Sequence, residues 1–118
     1  LGTAMTNSSG TFSFPVTGMW LIMFQAEALV YNNSAQAECF LDITTNNSSY
    51  NSAAACAYGS SETQAHLAGD SCHFIFDVTN TSNCKFKFKT QGHAENTRLK
   101  GDTSKNETHF TVIRLGDT

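Results

Sequence analysis

Apolar and polar residues alternate with a period of two through most patterned stretches of this chain, and that period predicts β-strands. Phe12 and Phe14 alternate with Thr11 and Ser13, and the run stops at Pro15. Gly18 follows, a turn-permissive residue before a long apolar segment. From Met19 to about Ala28 the alternation gives way to two apolar faces. Trp20, Ile22, Phe24 and Ala26 share one face, and Met19, Leu21 and Met23 share the other. A strand apolar on both faces has to be covered twice. In a small all-β chain a neighbouring subunit can supply the second cover, so the pattern points to an oligomer.

The remaining segments follow the same rule. Cys39 to Thr45 reads as a strand with Asp42 on its outer face, closed by the turn-rich Asn46-Asn47-Ser48-Ser49. Ser52 to Tyr58 contains three successive alanines, which suit a helix or a tightly packed strand; its context favours the strand. Gly59-Ser60-Ser61 and Ala68-Gly69-Asp70 read as turns, with Thr63 to Leu67 alternating weakly between them. Cys72–Val78 and Cys84–Thr90 carry the cleanest patterns. In the latter, Phe86 and Phe88 point inward, while Lys85, Lys87 and Lys89 face water and discourage edge pairing. Tyr31–Gln36 and Gln91–Lys105 read as polar loops. The last strand, Thr108 to Leu115, sets Phe110 and Val112 on one face and Ile113 and Leu115 on the other.

A core and a contact face can therefore be named. Phe14, Trp20, Ile22, Phe24, Phe74, Phe76, Phe86, Phe88 and Phe110 fill a sandwich. Met19, Leu21, Met23, Ile75, Ile113 and Leu115 are left needing cover, at roughly 1.5–3 kcal/mol for each side chain fully buried. The pattern alone leaves open which face is core and which is interface.

Composition narrows the class. The chain has 118 residues, of which 40% are hydrophobic and only 14% charged. That suits one domain over residues 10–118, preceded by residues 1–9 as a linker or a first strand. The charge deficit is filled by Asn, Ser and Thr, so the surface is amide- and hydroxyl-rich. A net charge of -3 argues against a nucleic-acid partner. No apolar run reaches the length of a membrane span. No stretch reads as a secretory leader, and a chain that does not begin with Met suits a processed product or a piece of something longer.

Cys39, Cys56, Cys72 and Cys84 form no C-x-x-C pair, which leaves a zinc site poorly supported. Three of them keep phase with apolar neighbours and read as reduced core residues, which fits assembly in a reducing compartment, with at least one disulfide as the alternative. His66, His73, His93 and His109 lack metal-motif spacing; His73 and His109, on strands that can approach a symmetry axis, make the best ligand pair. Asp70 reads as a turn residue after Gly69, with a calcium role for Asp70 and Asp102 as the alternative. Neither a Gly-x-Ser-x-Gly elbow nor a Gly-rich phosphate loop is present. The expectation is a non-enzymatic protein with no cofactor or metal.

Three segments in order carry a family resemblance: Phe14-Pro-Val-Thr-Gly-Met-Trp-Leu-Ile-Met-Phe24, Leu67-Ala-Gly-Asp-Ser-Cys72 and Thr108-His-Phe-Thr-Val-Ile-Arg-Leu115. Together they resemble the globular heads of complement-type proteins in the tumour necrosis factor-like jelly-roll superfamily. Cys72 stands where that family has Val, and Val112 where it prefers Gly. The resemblance implies a two-sheet antiparallel jelly-roll sandwich. It places the Met19–Ala28 strand between the Cys72–Val78 and Thr108–Leu115 strands and packs that sheet about a threefold axis, giving a homotrimer.

Members of this superfamily occur as secreted animal recognition heads and as bacterial or phage surface fibres. The low charge, the amide-rich surface and the core-phased cysteines favour the second setting. The expectation is a virion surface module, either a phage tail-fibre or spike head for host attachment or a capsid decoration protein. Its partners would be other virion proteins or a host cell-surface glycan or protein. The alternative is a secreted, extracellular complement-like lectin. Six N-x-S/T sequons, at Asn7, Asn32, Asn46, Asn47, Asn80 and Asn106, would support that alternative if they carried glycan. Candidate ligand contacts lie in the loops: Tyr31, Asn33, Asn47, Tyr50, His93 and Arg98, with the tyrosines as aromatic platforms and the amides as partners for sugar hydroxyls.

Overall fold

The cleanest period-two segments fold as strands. A computed structural model describes residues 3–30, 37–59 and 64–118. Among the described residues the strands are β1 (Thr6–Ser8), β2 (Thr11–Ser13), β3 (Gly18–Val30), β4 (Ala37–Thr44), β5 (Asn51–Tyr58), β6 (His66–Val78), β7 (Lys85–Gln91), β8 (Arg98–Leu99) and β9 (His109–Gly116). All pair antiparallel, in two sheets. One runs β1-β2-β7-β4-β5. The other is centred on β3, with β6 along one side and β9 and then β8 along the other.

The core lies between the sheets. The even-numbered residues of β3, Trp20 through Val30, are all buried, and Cys39, Leu41, Cys56, Tyr58 and Phe86 meet them from the opposite sheet. An aromatic cluster spans the gap. Phe14 packs on Trp20 at 5.3 Å and on Phe76 at 5.6 Å, and Phe24 stacks on Phe88 at 4.4 Å between ring centroids. Each such pair adds about 0.5–1.5 kcal/mol beyond the area it buries. The alanine-rich segment is strand because β4 pairs with it along its length and because Cys56 and Tyr58 alternate inward. β1 and β2 join through Ser9-Gly10, both at positive φ (51° and 80°), as a tight hairpin between right-twisted strands requires.

Several expectations need correction. Ala68-Gly69-Asp70 is not a turn but the interior of β6, which pairs with β3 without a break from Val78 to His66. Gly69 serves close approach: a Cβ there would stand 2.8 Å from the Ala26 carbonyl oxygen. The segment Gln91–Lys105 is not all loop, since Arg98 and Leu99 form β8 against Leu29 and Ala28. The Lys85, Lys87, Lys89 row does not guard an edge, because β7 lies between β2 and β4. Two of these lysines cover aromatic rings: Lys87 sits over Tyr50 and Lys89 over Phe40. Asp42 is on the outer face but buried, with Lys89 Nζ at 3.9 Å and the Ser52 hydroxyl donating to it at 2.6 Å.

Phe110 is the exception within the expected core. It points into the sandwich, 4.9 Å from the Phe12 ring and 5.2 Å from Phe88, yet it is 39% exposed. The cause is topological: among the described residues β9 pairs with β3 alone, so its far side has no strand to cover it. Phe74 and Phe88 are partly buried and pack against the cluster. The Tyr31–Gln36 loop and residues 60–63, on which further expectations fell, lie outside the described residues.

Candidate assembly face

Because β3 sends its even residues inward, its odd residues and their cross-strand partners form the outer face of the four-stranded sheet. The register sets this face out in rows. Leu21 stands between Ile75 of β6 and Ile113 of β9, so three aliphatic side chains lie side by side. Met23 comes next, between His73 and Thr111, and then Gln25, between Ser71 and His109. Met19 extends the apolar row toward the other end, where Leu115 falls at the bulge between the Arg114 and Gly116 pairings. Ile75 is 49% exposed, Ile113 44%, Leu115 54% and Met23 37%; Met19 and Leu21 are half-buried by these neighbours. Five of the six residues expected to need cover, Met19, Leu21, Met23, Ile75 and Ile113, thus share one face, and Leu115 lies exposed at the β9 bulge.

The apolar rows end at a polar margin. His73 and His109 border a cleft of about 260 Å³ with Met23, Gln25, Ser71 and Thr111. His109 Nδ1 lies 3.0 Å from the Glu107 carbonyl oxygen. Among the described residues no group of three or more His, Cys, Asp or Glu is arranged to hold a metal ion.

Beyond the histidines an ion cluster closes the sheet. Lys100 Nζ donates to Glu107 Oε1 at 2.8 Å and to Glu27 Oε1 at 3.2 Å, and Lys105 Nζ reaches the same Glu107 oxygen at 3.0 Å. The Lys100 and Lys105 ammonium groups hold the Glu107 carboxyl below its ordinary range. Hydrogen bonds to Glu107 and then Glu27 hold the Lys100 ammonium above its own. Backbone contacts tie the same residues together. The Lys100 amide donates to the Glu27 carbonyl at 2.8 Å, and the Thr108 hydroxyl donates to that carbonyl at 3.0 Å and accepts from the Glu27 amide at 3.1 Å. Nothing in the local pattern marks this cluster, since its members are up to 81 positions apart.

The candidate ligand residues do not converge. Tyr31 and Asn33 lie outside the described residues. Asn47 is exposed in the β4–β5 turn, where its amide donates to the Asn83 carbonyl at 3.0 Å, and Tyr50 lies beneath Lys87. His93 is at the opposite end of β5, its Nε2 3.2 Å from the Tyr58 hydroxyl, and Arg98 is exposed on β8 beside Leu29. The length of β5, roughly 25 Å at the usual rise, separates the Tyr50 end from the His93 end. Asp70, expected in a turn, instead accepts a hydrogen bond from the Ala57 amide at 3.2 Å, joining β6 to β5.

No protein-family model and no curated protein matches the chain. Solved structures do. The structure of Eiger TNF from S. frugiperda aligns over 97% of this chain and 70% of that one, with a TM-score of 0.68 at 16% identity. This likeness, with two antiparallel sheets in the order described, establishes a tumour necrosis factor-like jelly-roll sandwich.

Proposed function

We propose that this chain is a non-enzymatic homotrimeric head that assembles through the outer face of β6, β3 and β9. The observation that carries this reading is the Ile75–Leu21–Ile113 row, flanked by Met19, Met23 and Leu115. It is an aliphatic surface at the centre of a sheet in a chain otherwise rich in polar side chains. Contiguous apolar surface of this kind marks a protein contact. Burying each of these side chains contributes roughly 1.5–3 kcal/mol, and threefold symmetry repeats the contribution in every subunit.

In this reading the trimer is a virion surface module, a fibre or spike head for host attachment or a capsid decoration protein. The low charge and the Asn-, Ser- and Thr-rich composition support it. A secreted, complement-like recognition head is the second reading. It is favoured by one observation: the sequon asparagines Asn7, Asn46, Asn47, Asn80 and Asn106 are all exposed. Expression in a glycosylating host followed by intact mass measurement separates the two, since occupied sites with retained assembly favour the secreted head.

Light scattering at micromolar concentration tests the assembly itself. The chain should run as a trimer and Leu21→Asp as a folded monomer. A monomeric parent protein at that concentration would overturn the proposal.

A further inference from the structure

Two histidines sit at the margin of the outer face, directly beside a residue of the apolar rows. His73 of β6 and Thr111 of β9 stand on either side of Met23, and His109 of β9 lies opposite Gln25, one row on. His73 is exposed and His109 half-buried. Both border the cleft of about 260 Å³ that Met23 and Gln25 also line. Neighbouring strands run about 4.8 Å apart, so a surface that covers Met23 covers His73 with it. The cleft carries the same cover on to His109.

Resting on the trimeric reading above, we propose that His73 and His109 make assembly pH-sensitive: the outer face closes against its mates while the two rings are neutral, and acid releases folded subunits. The surrounding groups set the sign. Met23, Gln25, Ser71 and Thr111, which line the same cleft, carry no charge. The carboxylates beyond it are already engaged. Glu27 accepts from Lys100, Glu107 from Lys100 and Lys105, and Asp70 from the Ala57 and Ser71 amides. Asp77 stands two rows away, opposite Met19, and Arg114 pairs with Asp117 at that same end. His109 Nδ1 lies 3.0 Å from the Glu107 carbonyl oxygen. Among the described residues neither ring is paired with a carboxylate. β6 is the outer strand of its sheet, and β9 pairs only with β3, so no further strand brings a charge alongside either ring.

Histidine is the side chain whose charge changes between about pH 5 and 8. Covering a charged ring with no carboxylate opposite it costs desolvation that a neutral ring escapes. Threefold symmetry repeats both rings in every subunit and brings like charges toward one another around the axis. The assembled state therefore holds fewer protons than the separate subunits. By linkage, association is tightest above the histidine range and weakens as pH falls through it. Each ring that assembly keeps neutral lowers the association constant about tenfold between about pH 7.5 and 5.5. That interval lies above the carboxylate range, so the Glu107 cluster is not the sensor.

The test measures the trimer–monomer equilibrium of the full chain by analytical ultracentrifugation over a dilution series at about pH 7.5 and 5.5, at constant ionic strength. Circular dichroism at each pH reports whether the released subunits stay folded. The association constant should fall at least about a hundredfold in acid with the β-sheet signal unchanged. A chain carrying both His73→Gln and His109→Gln should assemble at pH 7.5 and lose most of that dependence. His73→Gln alone, at an exposed position, should lose part of it. Assembly equally tight or tighter at pH 5.5, unfolding in place of release, or an acid response that the double variant retains would overturn this proposal and leave the trimer standing. A parent chain monomeric at pH 7.5 would overturn the trimeric reading and this one together.

Discussion

Ala57 and Asp70 are joined across the sandwich: the amide of the first donates to the carboxylate of the second at 3.2 Å. Ala57 lies on β5, the outermost strand of one sheet, and Asp70 on β6, the outermost strand of the other. Without this contact the Ala57 amide on the β5 edge would lose its acceptor, and an unpaired edge amide invites pairing with another chain. Asp70→Ala should cost about 0.5–1.5 kcal/mol, read as a lower midpoint in urea. Asp70→Asn keeps a carbonyl acceptor and should recover most of the loss.

Glu107 links Lys100 and Lys105 at the end of the four-stranded sheet, and its shifted carboxyl makes stability depend on pH. Its folded-state pKa is held below the ordinary 4.5, chiefly by the hydrogen bond from Lys100. A depressed carboxylate contributes stability that is fully present above the unfolded pKa and is lost as pH falls through the folded one. Lys100 is raised above 10.5 and contributes at all pH values below the lysine range. Thermal midpoints should therefore hold between about pH 6 and 9 and decline in acid below the carboxylate range. Glu107→Gln should lower the neutral-pH midpoint and flatten the acid decline; an equally steep decline in the variant would exclude this cluster as its source.

Phe86 and Phe110 share an aromatic cluster, with ring centroids 6.2 Å apart, but not a degree of burial. Phe86 is enclosed by Phe12, Phe14 and Phe88. Phe86→Ala should cost about 3–5 kcal/mol. Phe110→Ala leaves an opening that solvent can enter rather than a closed cavity and should cost clearly less. Chemical denaturation of both variants checks the ranking.

The sequence by itself determined the all-β class, the position along the chain of the cleanest strands and the two-faced character of β3. Those properties are local. Whether Trp20 and Leu21 point to opposite sides follows from the backbone period of two, and the positions of Phe14, Pro15 and Gly18 mark where the pattern breaks. Only the tertiary structure decided that Gly69 lies within a strand, because a Gly-Asp pair in a turn and one at a close backbone approach look identical until β3 is alongside. It likewise decided that Phe110 is half-open, that Tyr50 and His93 are at opposite ends of β5, and that Glu27 meets Lys100. Cys56, in a run of alanines, gave no sign of standing opposite Cys39. Each of these outcomes depends on register and on which strand edges remain uncovered. Pairing energy between distant segments sets both, and no stretch of a dozen residues encodes it.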